Sequence, residues 1–172
     1  SGYFQGVTRD VMLSLPSPED NIFYRDWRAI DSEYLVVGSI ETFKNNEIEV
    51  VYELHDVFGE RQVEKFKYQG SIKNVRDIGH SISDRIYEKL TGMRGNFRSK
   101  LLYVTVDRRT EKDQTFRLMF CDADGGRAQQ LLSSPCPILS PKWSPDGSRF
   151  AYMSYDYSVK KGRVECEQAA VY

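Results

Sequence analysis

Histidine and cysteine are scarce in this 172-residue chain, and their scarcity removes whole classes of chemistry. The two histidines, His55 and His80, have no cysteine or second histidine at ligand spacing, so a zinc site or a histidine-based catalytic dyad lacks its parts. The three cysteines, Cys121, Cys136 and Cys166, leave at least one thiol unpaired and show no metal-type spacing, which leaves the redox compartment open. Neither sign of charge dominates: 24 basic and 25 acidic residues give a net charge of −1 without a long run of either, a balance unsuited to nucleic acid. No apolar stretch approaches the roughly 20 residues that span a bilayer, and no hydrophobic segment of the signal-peptide type opens the sequence.

What is present falls into two patterns. Tyr34 to Phe43, Glu47 to Asp56 and Arg61 to Tyr68 read as a three-stranded meander with turns at Asn45 and Asn46 and near Gly59. In the middle strand Ile48, Val50, Tyr52 and Leu54 alternate with Glu47, Glu49, Glu53 and His55, which predicts one covered face and one wet face. From Ser71, a candidate N-cap, the residues Ile72, Val75, Ile78, Ile82, Ile86 and Leu90 recur at spacings of three and four. This is a helix with one apolar stripe, ended by Gly92. Upstream, Leu-Pro-Ser-Pro within Met12 to Asp20 breaks any helix, whereas Phe23 to Ile30 suits a short one.

The second pattern begins near Gly95. Leu101 to Val106, Phe116 to Cys121 and Ala128 to Leu132 read as strands, with a turn at Asp124, Gly125 and Gly126. Ser140 to Tyr155, SPKWSPDGSRFAYMSY, then combines an aromatic residue, a locally encoded turn and another strand. Pro145 fixes φ for the second position of a type I turn, Asp146 can bond turn amides, and Gly147 accepts a left-handed conformation. Beyond the turn Phe150, Tyr152 and Ser154 share one face, and Arg149, Ala151, Met153 and Tyr155 share the other.

A tryptophan, Ser-Pro-Asp-Gly and an aromatic strand together resemble the repeat of TolB-type β-propellers. Glu88 to Val104, EKLTGMRGNFRSKLLYV, resembles the join between the amino-terminal domain of that family and its first blade, and Trp27 to Gly38, WRAIDSEYLVVG, is similar to a segment leading a short helix into a strand. The opening SGYFQ resembles the end of the first helix of that domain, which implies that a strand, most of the helix and any export signal lie upstream. A blade takes about 40 to 45 residues and a closed ring at least four blades. The resemblance therefore implies an α/β (α+β) amino-terminal domain over residues 1–94, with a helix on a small mixed sheet, and an incomplete propeller of about one and a half blades over residues 95–158. Residues 159–172, VKKGRVECEQAAVY, match no blade.

The same resemblance implies a non-catalytic, periplasmic docking component of the Tol-Pal system, supporting outer-membrane integrity and cell division. Its expected partners are the lipoprotein Pal, TolA and, in some cells, colicins. It implies no cofactor and no catalytic or metal residue, and it carries no partner-contact residue onto this chain. Trp143, Pro145, Asp146 and Gly147 are blade architecture on this reading, and an open blade edge predicts self-association. The alternative is a propeller fragment of a prolyl-oligopeptidase-type peptidase, or an inactive truncated product.

Three motifs with chemical overtones read as structure. Gly79-His80-Ser81-Ile82-Ser83 comes near a nucleophile elbow but lacks the last glycine and lies in the predicted helix. Asp122-Ala123-Asp124-Gly125 begins like a calcium loop without the remaining oxygen ligands, so both aspartates are expected to bond turn amides. Glu47, Glu49 and Glu53 are expected to form a solvated charge row.

Overall fold

The structure, a computed structural model, describes residues 2–110 and 113–172. The chain separates into two compact units, Ser1–Leu90 and Thr91–Tyr172.

In the first unit, strands β1 (Tyr34–Thr42), β2 (Glu47–Asp56) and β3 (Arg61–Ser71) form one sheet in that order. Expected as mixed, this sheet is antiparallel throughout, because its connections are tight turns that reverse the chain. Asn45 and Asn46 both adopt left-handed φ, 65° and 62°, a conformation that asparagine tolerates and that matches the twist of a hairpin. At the next turn the Asp56 carboxylate accepts the Gly59 amide at 2.8 Å.

A short helix α1 (Tyr24–Arg28) sets Trp27 against one face of this sheet, where Leu35, Val37 and Val57 complete a buried cluster edged by Met12, Ile22 and Ile30. The opposite face carries Ile48, Val50, Tyr52 and Leu54, all buried, and α2 (Val75–Thr91) supplies the cover. Ser71 caps the single 3-10 turn that leads into α2, its hydroxyl accepting the Lys73 amide at 3.3 Å. Ile72 in that turn and Val75 at the start of α2, the first two members of the expected stripe, stay exposed, whereas Ile78, Ile82, Ile86 and Leu90 are half-buried. Gly92, at φ 71°, ends the helix as expected.

The second unit contains two three-stranded antiparallel sheets, neither closed. The first is β4 (Lys100–Thr110), β5 (Asp113–Asp122) and β6 (Gln129–Ser134). The second is β7 (Leu139–Trp143), β8 (Phe150–Lys160) and β9 (Arg163–Val171). β4 of the first sheet runs beside β7 of the second. Leu118, Cys121, Cys136 and Ile138 are buried.

Residues 159–172, which match no blade by sequence, depart from that expectation. Lys161 and Gly162 take left-handed φ of 50° and 73°, the two-residue turn that suits a hairpin, and β9 returns along β8 from Lys160↔Arg163 to Met153↔Val171. The Lys-Gly turn leads into a strand, β9, whose first five residues include Arg163, Glu165 and Glu167, so the return strand carries little apolar signal in the sequence. Cys166 of β9 is disulfide-bonded to Cys136, and Cys121 is a buried free thiol.

The Ser-Pro-Asp-Gly turn forms as its sequence dictates. The Ser144 carbonyl accepts the Gly147 amide at 2.9 Å, Gly147 has φ 69°, and Asp146 accepts the amide and hydroxyl of Ser148 at 3.1 and 2.8 Å. Bonds from Ser144 and Ser148 hold the Asp146 carboxyl down from its ordinary 3.8 to about 2. A carboxyl lowered on folding contributes stability above its unfolded value and loses it as pH falls through the folded one. Asp146→Asn is therefore expected to flatten part of the acid-side loss of melting temperature between about pH 4 and pH 2; identical Tm-against-pH curves for the two chains would refute this.

Trp143 meets Phe150 edge-to-face at 5.8 Å but is only half-buried, and its buried indole N–H has no hydrogen-bond partner. Trp143→Ala should therefore cost about 2 kcal/mol, below the range for a fully buried aromatic. Trp143→Phe should cost under about 1 kcal/mol, because it also removes an unsatisfied donor. A urea midpoint shift for Trp143→Phe equal to that for Trp143→Ala would contradict this account.

Candidate functional site

In the first unit the face of β2 that alternation predicts to be wet holds a buried polar cluster instead. Glu53 and His55 are each 4% exposed, because α1 and the segment before it cover this face. His55 Nε2 lies 3.1 Å from a Glu53 oxygen, and His55 Nδ1 lies 3.0 Å from the Tyr24 hydroxyl. With Nε2 donating to the carboxylate and the Tyr24 hydroxyl donating to Nδ1, both ring nitrogens are satisfied. Lys65 adds an ion pair to the other Glu53 oxygen at 3.0 Å and reaches Glu19 at 3.3 Å. Burial alone would raise the Glu53 carboxyl, yet the bonds from Lys65 and His55 outweigh it and leave the group lowered. Burial, reinforced by nearby carboxylates, raises the Tyr24 hydroxyl.

These groups line an open cleft of about 570 Å³, together with Glu19, Asp20, Ile22, Phe23 and Gln62. Among the described residues that line the cleft none is a serine or cysteine, and His55 there is oriented by the Glu53 carboxylate. Of the acidic row, only Glu53 is buried; Glu49 is held low by bonds from Lys67 and Gln69, and Glu47 is exposed. On the other sheet face Arg85 of α2 stands 4.0 Å from the centre of the Phe66 ring and bonds Glu64 at 2.8 Å, while Tyr52 donates to the same carboxylate at 2.8 Å.

The nucleophile-like motif lies in α2, as its apolar spacing requires. Ser81 and Ser83 donate to the carbonyls of Asp77 and Gly79 at 2.8 and 3.0 Å, four residues back along the helix. In the second unit the calcium-like sequence divides. Asp124 accepts the Gly126 amide at 3.0 Å, the expected turn bond. Asp122, expected to do the same, is 1% exposed and binds Arg127 at 2.7 Å and Lys100. It thereby ties the first residue of β4 to the turn after β5.

Both halves of the chain match known proteins in the same order as the two units. The model of the TolB amino-terminal domain matches residues 1–63, and that of the TolB beta propeller domain matches residues 87–167. The Tol-Pal system protein TolB of Marinomonas sp. strain MWYL1 is 45% identical over 156 residues, 90% of this chain. The chain belongs to the TolB family.

The TolB of Pseudomonas fluorescens strain Pf0-1 is 42% identical over 156 residues. The crystal structure of TolB from Acinetobacter baumannii superposes with a TM-score of 0.71 at 31% identity, over 87% of this chain and 39% of that one. This TolB-family chain spans 36% of the length of the curated relatives it matches. The match of the propeller domain extends to residue 167 and so takes in most of β9. The buried Glu53 and His55 pair was missed in the TolB-family sequence because a strand's alternation separates its faces without saying which of them a distant segment covers. The nearby Trp27, an apolar residue in a short helix, was the available signal for a second cover.

Proposed function

We propose that this chain serves as a non-catalytic docking component of the Tol-Pal system in the periplasm, contributing to outer-membrane integrity and cell division. The observation that carries the reading is the ordered match of both TolB domains along one chain, with relatives named as Tol-Pal system proteins. On this reading residues 1–94 belong to the amino-terminal domain and residues 95–158 to the start of the propeller. The Cys136–Cys166 disulfide supports an oxidising compartment. Among the described residues no helix is long and apolar enough to cross a membrane, which agrees with attachment through partners.

The proposed partners are Pal and TolA, with colicins as ligands of the same surfaces. A calorimetric titration of the chain against purified Pal and the carboxy-terminal domain of TolA, with a full-length TolB as control, tests this. Saturable binding to either supports the reading; no heat beside a working control rejects it for this chain. A serine-reactive fluorophosphonate should leave the protein unlabelled, and stoichiometric labelling would restore the peptidase alternative.

A further inference from the structure

The disulfide joins two cysteines of very different access, 30 residues apart in sequence with Cα atoms 5.8 Å apart. Cys136, in the connection between β6 and β7, is fully buried, and its amide donates to the Ser134 hydroxyl at 3.0 Å. Cys166 lies within β9 opposite Tyr157 and is exposed. β9 is bonded to β8 along one side only, so the disulfide is a covalent tie between an outer strand and the unit's interior.

Exchange at a disulfide proceeds by attack of a thiolate on one sulfur with expulsion of the other. Cys166 is the exposed residue of the pair and Cys136 the buried one, so an external thiol that opens the bond at Cys166 must expel the Cys136 thiolate into a buried site. Burial disfavours a thiolate and makes it a poor leaving group, which protects the closed bond. Closing the bond runs through the same geometry in reverse, with the exposed thiol meeting the oxidant first.

We propose that Cys166 is the entry site for a thiol–disulfide exchange partner, a protein carrying a redox-active disulfide, and that Cys136 is the resolving thiol that then locks β9 in place. The Cys166 thiolate attacks the partner's disulfide, forming an intermolecular S–S bond and releasing one partner thiol. Cys136 gives its proton to water and attacks the Cys166 sulfur, forming the intramolecular bond and expelling the second partner thiolate, which is protonated. Two electrons and two protons pass from this chain to the partner. Cys121, buried in β5, takes no part.

Glutathione disulfide serves as the probe. The full chain and its Cys136→Ser and Cys166→Ser variants are reduced, transferred into the probe, and followed by intact mass with peptide mapping. Cys136→Ser should accumulate a stable adduct at Cys166, and Cys166→Ser should acquire one about tenfold or more slowly. The unsubstituted chain should finish without adduct, with a single thiol that titrates only after denaturation. Should Cys136→Ser fail to fold, acid quenching of the unsubstituted chain at early times reads the same order, with the transient adduct at Cys166. Equal rates in the two variants, a transient adduct at Cys136, or three titratable thiols after oxidation would overturn the proposal.

Discussion

Trp27→Ala should destabilise the first unit by about 3 to 5 kcal/mol, the loss expected for deleting a buried aromatic side chain and leaving a cavity. Trp27 is 4% exposed and is the largest member of the cluster that holds α1 on β1 through Leu35, Val37 and Val57. Its carbonyl also accepts the amides of Ile30 and Ser32, at 3.3 and 3.1 Å, which close the turn into β1. The backbone bonds survive the substitution while the packing does not, so the effect belongs to burial. Hydrogen exchange followed by mass spectrometry gives the test: β1 amides should lose protection while those of β8 keep theirs. Unchanged protection in β1 would show that α1 contributes nothing to the stability of the sheet.

Glu53→Ala should cost about 3 kcal/mol, because breaking a buried ion pair leaves its partners uncompensated. The substitution strands His55 Nε2 and removes the buried partner of Lys65. Replacing Glu53 and His55 together by leucines should cost much less than the sum of the single changes, since apolar groups of similar volume need no partner. A double-mutant cycle in urea measures this, and strict additivity would mean that the two side chains do not interact. Because the Glu53 carboxyl is lowered on folding, its contribution is present above the usual carboxyl range and fades as pH falls through the lowered value. The wild-type advantage over Glu53→Gln should shrink in acid accordingly.

The residues that sequence reads well are those whose conformation is decided within a few positions. Asn45 and Asn46, Gly92, Asp124 and the Ser144 to Gly147 turn all take the conformations or bonds that their local chemistry favours. β2 runs from Glu47 to Asp56, as its alternation predicts. What escaped depends on residues far apart in sequence: His55 on Tyr24, Asp122 on Lys100, Cys166 on Cys136. Trp143 and Trp27 make the same point, since composition ranks them equally while only Trp27 has a tightly packed cluster around it. The buried site was illegible for this reason, because partner choice is settled by tertiary placement.

β1 lies at the edge of its sheet, carries a single charged residue, Glu41, in nine, and leaves Val36 and Ile40 47% and 60% exposed. β9, the outer strand of the second unit, carries Arg163, Glu165 and Glu167 in the same length. Charge on an edge repels a like strand, whereas a flat, apolar, nearly uncharged edge templates one. Growth of cross-β aggregates should therefore begin at β1, and Val36→Lys should lengthen the lag before turbidity more than a lysine substitution within β9.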